Sequence, residues 1–113
     1  MATPIPTNRA LFELPDVALA TNGTIRHHGP RNAGPAMGVF SDSRAVKPNS
    51  IFFALRGEAH DGHSFLAKAV ENGASIVVVE KGRHQDVPAT VSVVEVEDTL
   101  VAWGALAGAH LAR

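Results

Sequence analysis

The sequence predicts a small α/β layered fold, in which a mostly parallel or mixed sheet is flanked by helices. Residues 74–79 form an apolar, β-branched run without alternation, which is typical of a strand covered on both faces. Residues 90–94 are predicted to form another strand, and a helical pattern precedes the first run. Because strand–helix–strand order favours parallel pairing, we expect a layered α/β domain. The 113 residues fit one such domain, which we place over the whole chain.

The first third of the chain is predicted to hold one helix and one short strand. Residues 1–10 carry two prolines and are expected to form a loose lead-in. Apolar residues recur at helical spacing over residues 11–20, and Pro15 favours a helix start near that position. Asn22-Gly23 is a typical helix stop, and a short strand is predicted over residues 25–28. Glycine and proline pairs then predict turns as far as Gly38.

The middle of the chain is predicted to form a buried strand followed by a helix. The strand covers residues 50–55, between Pro48-Asn49 and a glycine. Ser64 is a candidate N-cap for a helix over residues 65–72. Four apolar residues are expected on the inner face of this helix: Phe65, Leu66, Ala69 and Val70.

The last segment predicts a helix that packs on the sheet. Asp98 or Thr99 caps this helix, which continues to about residue 112. Trp103 is expected to anchor it in the core. Gly104 and Gly108 repeat a spacing that is typical of close helix packing, and we expect them to face the sheet.

Composition excludes several classes of protein. With 10 basic and 11 acidic residues and no basic cluster, nucleic-acid binding is not expected. The absence of cysteine excludes a disulfide scaffold, a thiolate metal site and a cysteine nucleophile. No segment approaches the roughly 20 apolar residues of a membrane span, and the N-terminus lacks a signal-peptide pattern. We therefore expect a cytoplasmic protein that does not bind membranes.

Two polar loops are candidates for a binding site. Residues 41–44 and residues 56–64 both follow predicted strands, and ligands of open α/β sheets lie at the carboxyl ends of strands. The second loop leads into a helix N-terminus, which favours an anion. Arg44 and Arg56 are candidates to bind a phosphate, and Ser43 is a candidate to donate to a carbonyl such as a uracil oxygen.

The alternative is that these loops are only turns. Asp42 and Ser43 are residue types that bond readily to neighbouring backbone. His60 and His63 suggest a metal site, but zinc needs at least about three protein ligands and no third is evident, so no metal is predicted. The sequence has no G-x-x-x-x-G-K-S/T phosphate loop, no nucleophile elbow and no dinucleotide fingerprint. We therefore predict a binding domain without catalytic residues.

The spaced motifs of residues 37–112 resemble the N-terminal domain of the Mur ligase family. The motifs are Ser41-Asp-Ser-Arg44, Val46, Lys47-Pro48, Ile51-Phe-Phe-Ala-Leu-Arg-Gly-Glu58, Asp61-Gly-His63, Phe65, Ala69, Gly73-Ala74 and Val77-Val-Val79. Residues 96–107 also resemble the helix that leads into the next domain of that family. Asn49 stands where the family usually has glycine, and asparagine also tolerates positive φ. The sequences of residues 55–58 and 61–63 most resemble those of the members that add D-alanyl-D-alanine. Residues 1–36 match only loosely.

The resemblance implies a role in peptidoglycan biosynthesis, and so in cell-wall biogenesis, cell shape and cell division. This domain would hold the UDP end of UDP-N-acetylmuramoyl-tripeptide. An ATP- and magnesium-binding domain and a C-terminal domain, both absent from this chain, would join D-alanyl-D-alanine to it. The domain itself would need no cofactor, would be monomeric and would not ligate alone. The implied substrate-binding residues are Ser43, Arg44, Arg56, Glu58, Ala59, His60, Asp61, Gly62 and His63. Two alternatives remain: the related ligase that adds the third peptide residue, and a non-catalytic interaction module.

Overall fold

A computed structural model of the chain describes residues 11–29, 35–55, 62–82, 87–88 and 90–111. Within these ranges lie three α-helices, seven β-strands and two 3-10 turns. The helices are α1 (Leu14–Thr21), α2 (Leu66–Glu71) and α3 (Thr99–Leu111). The strands are β1 (Leu11–Phe12), β2 (Thr24–His27), β3 (Ala36–Met37), β4 (Val39–Phe40), β5 (Ile51–Phe53), β6 (Ile76–Glu80) and β7 (Ser92–Val96). The 3-10 turns are Ser43–Ala45 and Gly62–Phe65. The predicted lead-in at residues 1–10 lies outside the described ranges.

The main sheet has five strands in the order β2-β7-β6-β5-β4. β4, β5, β6 and β7 are parallel to their neighbours, and β2 closes one edge antiparallel to β7. β1 and β3 pair antiparallel in a separate two-stranded sheet. The prediction of a mostly parallel or mixed sheet is therefore confirmed.

Helices cover both faces of the sheet. On one face, α1 and α3 pack in a buried cluster with Ile76 and Val78 of β6. On the other face, α2 packs in a second cluster with Val77 and Val79 of the same strand. Successive side chains of a strand point to opposite faces, so a strand buried on both sides must be apolar at every position. This explains the unbroken apolar run of β6.

The ends of α1 and α3 match their sequence signals. Pro15 lies in the first turn of α1, where it displaces no helical hydrogen bond, and Asn22 ends the helix in the left-handed conformation (φ 56°). At α3, Asp98 Oδ1 accepts hydrogen bonds from the N–H groups of Leu100 and Val101 at 2.9 and 3.2 Å. The prediction that Asp98 caps this helix is confirmed. No helix within the described ranges is long and apolar enough to span a membrane.

The packing of α3 confirms one prediction and corrects another. Trp103 contacts Phe53 edge to face, with ring centroids 5.3 Å apart and an interplanar angle of 88°. Gly104, in contrast, faces outward, and a Cβ added there would meet nothing within 4 Å. The prediction of close packing at Gly104 is wrong, because Ala102 and Leu106 form the buried stripe instead. The surroundings of Gly108 lie outside what the structure describes.

The start of α2 also differs from the prediction. The 3-10 turn Gly62–Phe65 precedes the helix, so the N-cap is Phe65, which makes no side-chain capping bond. The prediction that Ser64 is the N-cap is therefore wrong. Phe65 is 42% exposed, whereas the prediction put it on the inner face with Leu66. A 3-10 turn winds more tightly than an α-helix, so Phe65 falls outside the helical stripe that buries Leu66.

Asn49 holds the turn before β5 in a left-handed conformation, with a φ of 59°. Its Nδ2 donates to the Pro35 carbonyl at 2.9 Å, and its Oδ1 accepts from Ser75 Oγ at 2.9 Å. The expectation that asparagine replaces glycine here because it tolerates positive φ is confirmed. The side chain also ties together segments that a glycine would leave unlinked.

Candidate functional site

The connection from β4 to β5 forms one wall of a cleft beside α2. Asp42 lies in an extended conformation ahead of the 3-10 turn, and its Oδ1 accepts from the Arg44 backbone N–H at 2.9 Å. The Arg44 guanidinium donates from Nε to Oδ1 at 3.1 Å and from Nη2 to Oδ2 at 2.9 Å. Asp42 therefore satisfies the turn, as the alternative interpretation expected, and it also fixes the direction of Arg44.

The ion pair of Asp42 and Arg44 shifts the pKa of both side chains. The hydrogen bond from the Arg44 side chain is the largest cause that lowers the pKa of Asp42 from 3.8 to about 2, and the Arg44 backbone N–H adds to it. The same hydrogen bond raises the pKa of Arg44. Both side chains are charged near neutral pH with or without these shifts, and the pairing extends the charged range of Asp42 to lower pH. The remaining guanidinium N–H groups donate to no residue in the described ranges, so they are available to an anion.

Ser43 connects this wall to α2. It is buried, at 6% exposure, and its carbonyl accepts a hydrogen bond from Asn72 Nδ2 at 2.8 Å. Asn72 follows directly on the last residue of α2. The turn that carries Arg44 and the helix opposite are therefore held together at a fixed separation.

The cleft between these elements has a volume of about 540 Å³. Its lining residues come from the turn after β4 and from the start of α2: Ser41, Asp42, Ser43, Arg44, Phe65 and Lys68. Lys68 Nζ donates to Glu71 Oε1 at 2.9 Å on the exposed surface. The described lining thus combines two cations, one carboxylate that is paired with Arg44, two serines and one aromatic ring.

Phe65 and Lys68 were not among the residues predicted to bind substrate. They stand three residues apart, a spacing that places side chains on one side of a helical turn. That spacing, directly behind the predicted loop at residues 56–64, is the sequence signal that could have identified them.

The second predicted loop, residues 56–64, is described only at its C-terminal end, residues 62–64. Arg56, Glu58, Ala59, His60 and Asp61 lie outside the described residues, and their binding role stays a prediction.

The C-terminal end of that loop lies beside the residue that precedes the loop. The Gly62 N–H donates to the Leu55 carbonyl at 2.6 Å. A Cβ at Gly62 would lie 2.6 Å from that same carbonyl oxygen, so only glycine fits this approach. The segment between Leu55 and Gly62 therefore begins and ends beside the 3-10 turn that carries Phe65.

His63 is buried, and its Nε2 accepts a hydrogen bond from the Glu80 backbone N–H at 3.0 Å. This contact joins the 3-10 turn to the end of β6. The predicted help from a helix N-terminus gains no support, because α2 begins only at Leu66 and has six residues. Among the described ranges, no group of three or more His, Cys, Asp or Glu side chains is arranged to hold a metal ion.

A second, smaller cleft lies at the β2–β7 edge and has a volume of about 250 Å³. Its buried carboxylate, that of Glu95, accepts from the Gly82 N–H at 2.9 Å and lies 3.8 Å from Arg26 Nε. These groups satisfy one another and stabilise the sheet edge. The cleft beside α2 is therefore the better candidate for a ligand.

The sequence profile described as "Mur ligase family, catalytic domain" matches residues 36–110. The chain is 40% identical over 87 residues to the UDP-N-acetylmuramoyl-L-alanyl-D-glutamate–2,6-diaminopimelate ligase of Geobacillus kaustophilus, covering 77% of this chain and 17% of that protein. It is 42% identical over 65 residues to the UDP-N-acetylmuramoyl-tripeptide–D-alanyl-D-alanine ligase of Synechocystis, covering 58% of this chain and 14% of that protein.

The fold is similar to a crystal structure of MurF from Acinetobacter baumannii, with a TM-score of 0.72 and 27% sequence identity. That match covers 88% of this chain and 21% of the other. The chain thus spans between 14% and 21% of the length of these three proteins. The residues that line the cleft all lie inside the matched segment.

Proposed function

Since the chain belongs to the Mur ligase family, we propose that it holds the UDP end of a UDP-N-acetylmuramoyl-peptide for a peptidoglycan-precursor ligase. The observation that carries the proposal is the cleft of about 540 Å³, whose lining includes both Arg44 and Lys68. A nucleoside diphosphate offers matching chemistry, because it joins two anionic phosphates to a flat base with carbonyl and N–H edges. Hydrogen bonds between a guanidinium and a phosphate are among the stronger ones in proteins.

Each lining residue has a distinct part in the proposal. Arg44 donates its remaining N–H groups to the diphosphate, while Asp42 holds its guanidinium in place. Lys68 adds a second positive charge, since one of its three N–H donors suffices for Glu71. The Ser43 hydroxyl donates to a uracil carbonyl. These side chains meet in one cleft because Asn72 fixes the turn against α2.

The loop at residues 56–64 completes the pocket in this proposal. Arg56, Glu58, Ala59, His60 and Asp61, which lie outside the described residues, are proposed to supply further contacts to the base and the diphosphate. Gly62 and His63 contribute by fixing the end of the loop, because their contacts to Leu55 and Glu80 hold it beside the cleft.

The sequence motifs and the described residues do not fit ATP and magnesium. The sequence contains no G-x-x-x-x-G-K-S/T loop, and the described ranges hold no cluster of three metal-binding side chains. We assign both to parts of the ligase outside this chain, which on this proposal does not ligate alone. The role implies a cytoplasmic protein that acts with those other domains.

Two members of the family compete as the parent enzyme. The sequences of the motifs at residues 55–58 and 61–63 favour the ligase that adds D-alanyl-D-alanine. The 40% identity to the Geobacillus kaustophilus diaminopimelate ligase favours the ligase that adds the third residue. Comparing UDP-N-acetylmuramoyl-dipeptide and UDP-N-acetylmuramoyl-tripeptide as substrates of the complete enzyme separates them. The enzyme that adds the third residue turns over only the dipeptide.

The binding role itself is tested by NMR titration of the 113-residue chain with UDP-N-acetylmuramoyl-tripeptide. We expect amide shifts at residues 41–44 and 57–68 and none at the β2–β7 edge, where Arg26 serves as the internal control. If millimolar ligand shifts no amide around the cleft, the proposal fails and the non-catalytic interaction module takes its place.

A further inference from the structure

Phe65 is a large aromatic side chain that remains 42% exposed within the lining of the cleft. Its neighbours at the start of α2 behave differently, since Leu66 is 5% exposed and Ala69 is fully buried. The exposure follows from the backbone, because the 3-10 turn Gly62–Phe65 carries the ring off the buried face of α2. Phe65 thus contributes an accessible ring to a cleft whose other lining residues are polar or charged.

The backbone around Phe65 is well anchored. His63, two residues earlier, is buried and bound to the Glu80 N–H, and Gly62 is bound to the Leu55 carbonyl. Leu66 follows in the core cluster that α2 forms with the sheet. A ring on such a segment keeps its position, and a fixed flat surface binds a flat ligand with little loss of conformational entropy.

The opposite wall carries the groups that would complete recognition of a flat, polar ring. Ser41 and Ser43 belong to the cleft lining, and Arg44 contributes a guanidinium held by Asp42. Hydroxyl groups match the carbonyl and N–H edge of a pyrimidine, whereas the face of the pyrimidine needs an apolar or aromatic surface. Among the described residues that line the cleft, Phe65 is the one aromatic side chain.

We infer that Phe65 stacks on the nucleobase of the bound nucleotide and so determines that the cleft accepts a base-bearing diphosphate rather than a bare one. The inference rests on the proposed function and specifies how that site distinguishes a nucleotide from a free diphosphate or a sugar phosphate. Stacking of a base on an aromatic side chain is sequence-tolerant, so Phe65 sets a requirement for a base and not for one particular base.

The test measures binding of UDP-N-acetylglucosamine, UDP and inorganic diphosphate to the 113-residue chain and three variants. Phe65→Leu removes the ring and keeps apolar bulk, and Phe65→Tyr restores a ring. Leu19→Ala is the matched control, because Leu19 is an exposed apolar residue outside the cleft lining, at 82% exposure. Amide spectra establish that each variant keeps the fold.

We expect Phe65→Leu to weaken binding of UDP by about tenfold or more, as is typical when one base loses a stacked ring. Phe65→Tyr and Leu19→Ala should bind like the parent chain, and inorganic diphosphate should bind all four proteins alike. Uracil H5 and H6 should move upfield on binding to the parent chain and to Phe65→Tyr, and not on binding to Phe65→Leu.

Three results overturn the inference. If the parent chain binds no UDP at the cleft, the proposed function fails and the role of Phe65 fails with it. If UDP binds at the cleft but Phe65→Leu binds it equally well, the proposed function stands and only the role of Phe65 falls. If the upfield shifts appear on the protons of the N-acetylglucosamine ring and not on uracil, Phe65 contacts the sugar and the inference is wrong.

Discussion

His63 Nε2 accepts a hydrogen bond from the Glu80 backbone N–H at 3.0 Å, which links the turn before α2 to the last residue of β6. An accepting ring nitrogen carries no proton, so this contact fixes the tautomer of the histidine. His63 was predicted to bind substrate from the motif alone. In the fold, its side chain is buried and holds the backbone from which Phe65 reaches the cleft.

Replacing His63 by alanine should destabilise the domain by about 1–3 kcal/mol, because the Glu80 N–H loses its acceptor and a buried side chain is removed. Chemical denaturation measures this change. His28→Ala is the matched control, since His28 is exposed, and it should alter the free energy of unfolding by less than about 0.5 kcal/mol. Equal stability of the two variants would contradict the structural role.

Gly104→Ala should stabilise the domain by about 0.5–1 kcal/mol. Gly104 lies on the exposed side of α3 with nothing within 4 Å of an added Cβ, and alanine is the better helix former. Gly62→Ala is the opposite case, because its Cβ would lie 2.6 Å from the Leu55 carbonyl oxygen. The midpoint temperature of thermal unfolding should therefore rise for Gly104→Ala and fall for Gly62→Ala. A lower midpoint temperature for both variants would refute the outward placement of Gly104.

Substitutions at Asn49 should separate backbone strain from side-chain bonding. Asn49→Ala loses the bonds to Pro35 and Ser75 and also forces alanine into a φ of 59°. Asn49→Gly loses the same bonds without the strain. We expect Asn49→Ala to be less stable than Asn49→Gly by about 1 kcal/mol in urea unfolding. Equal stabilities would mean that the turn relaxes out of the left-handed region.

Asp42 should titrate unusually low in acid. Its pKa is lowered from 3.8 to about 2 by the hydrogen bond from Arg44, so the pair favours the folded state above the unfolded-state value of 3.8. That contribution is lost as the pH falls through about 2. The side-chain carboxyl carbon shift of Asp42 should report this midpoint, and Arg44→Ala should raise it towards 3.8. Lys47→Ala removes a nearby charge outside this pair and should leave the midpoint unchanged.

Arg44→Ala should weaken binding of the UDP-precursor without unfolding the domain. The guanidinium is exposed, so its loss leaves no buried cavity, while the loss of a charge-assisted contact to phosphate should reduce affinity by about tenfold. In the complete ligase this appears as a higher KM for the UDP-precursor. Lys47→Ala, which removes an equal charge outside the cleft lining, is the control. An unchanged KM for Arg44→Ala would count against the proposed function.

The sequence predicted well those elements whose patterns are local. β6 was evident because it is apolar on both faces, and α3 was evident from Asp98 and the helical stripe behind it. The pair β1–β3 was not predicted, because each strand has only two residues and its partner lies 24 or more residues away in the sequence. Such pairing depends on tertiary contacts that no local pattern encodes.

The candidate site was predicted only in part, because the backbone and side-chain geometry that completes it is not evident from sequence patterns. Ser43 and Arg44 were named from their motif, and the structure brings them into one cleft with Phe65 and Lys68. Phe65 was placed in the core because a helical period was assumed from Ser64 onward, whereas the backbone follows a 3-10 turn there. The mutual pairing of Asp42 and Arg44 also depends on side-chain rotamers, which composition and spacing do not specify.

The hydrogen bond from Asn72 to the Ser43 carbonyl has a kinetic consequence. Since it links the two described walls of the cleft, we expect a ligand to meet these walls close to their final positions. Encounter should then be rapid, and differences in affinity among related nucleotides should appear in how quickly each one leaves.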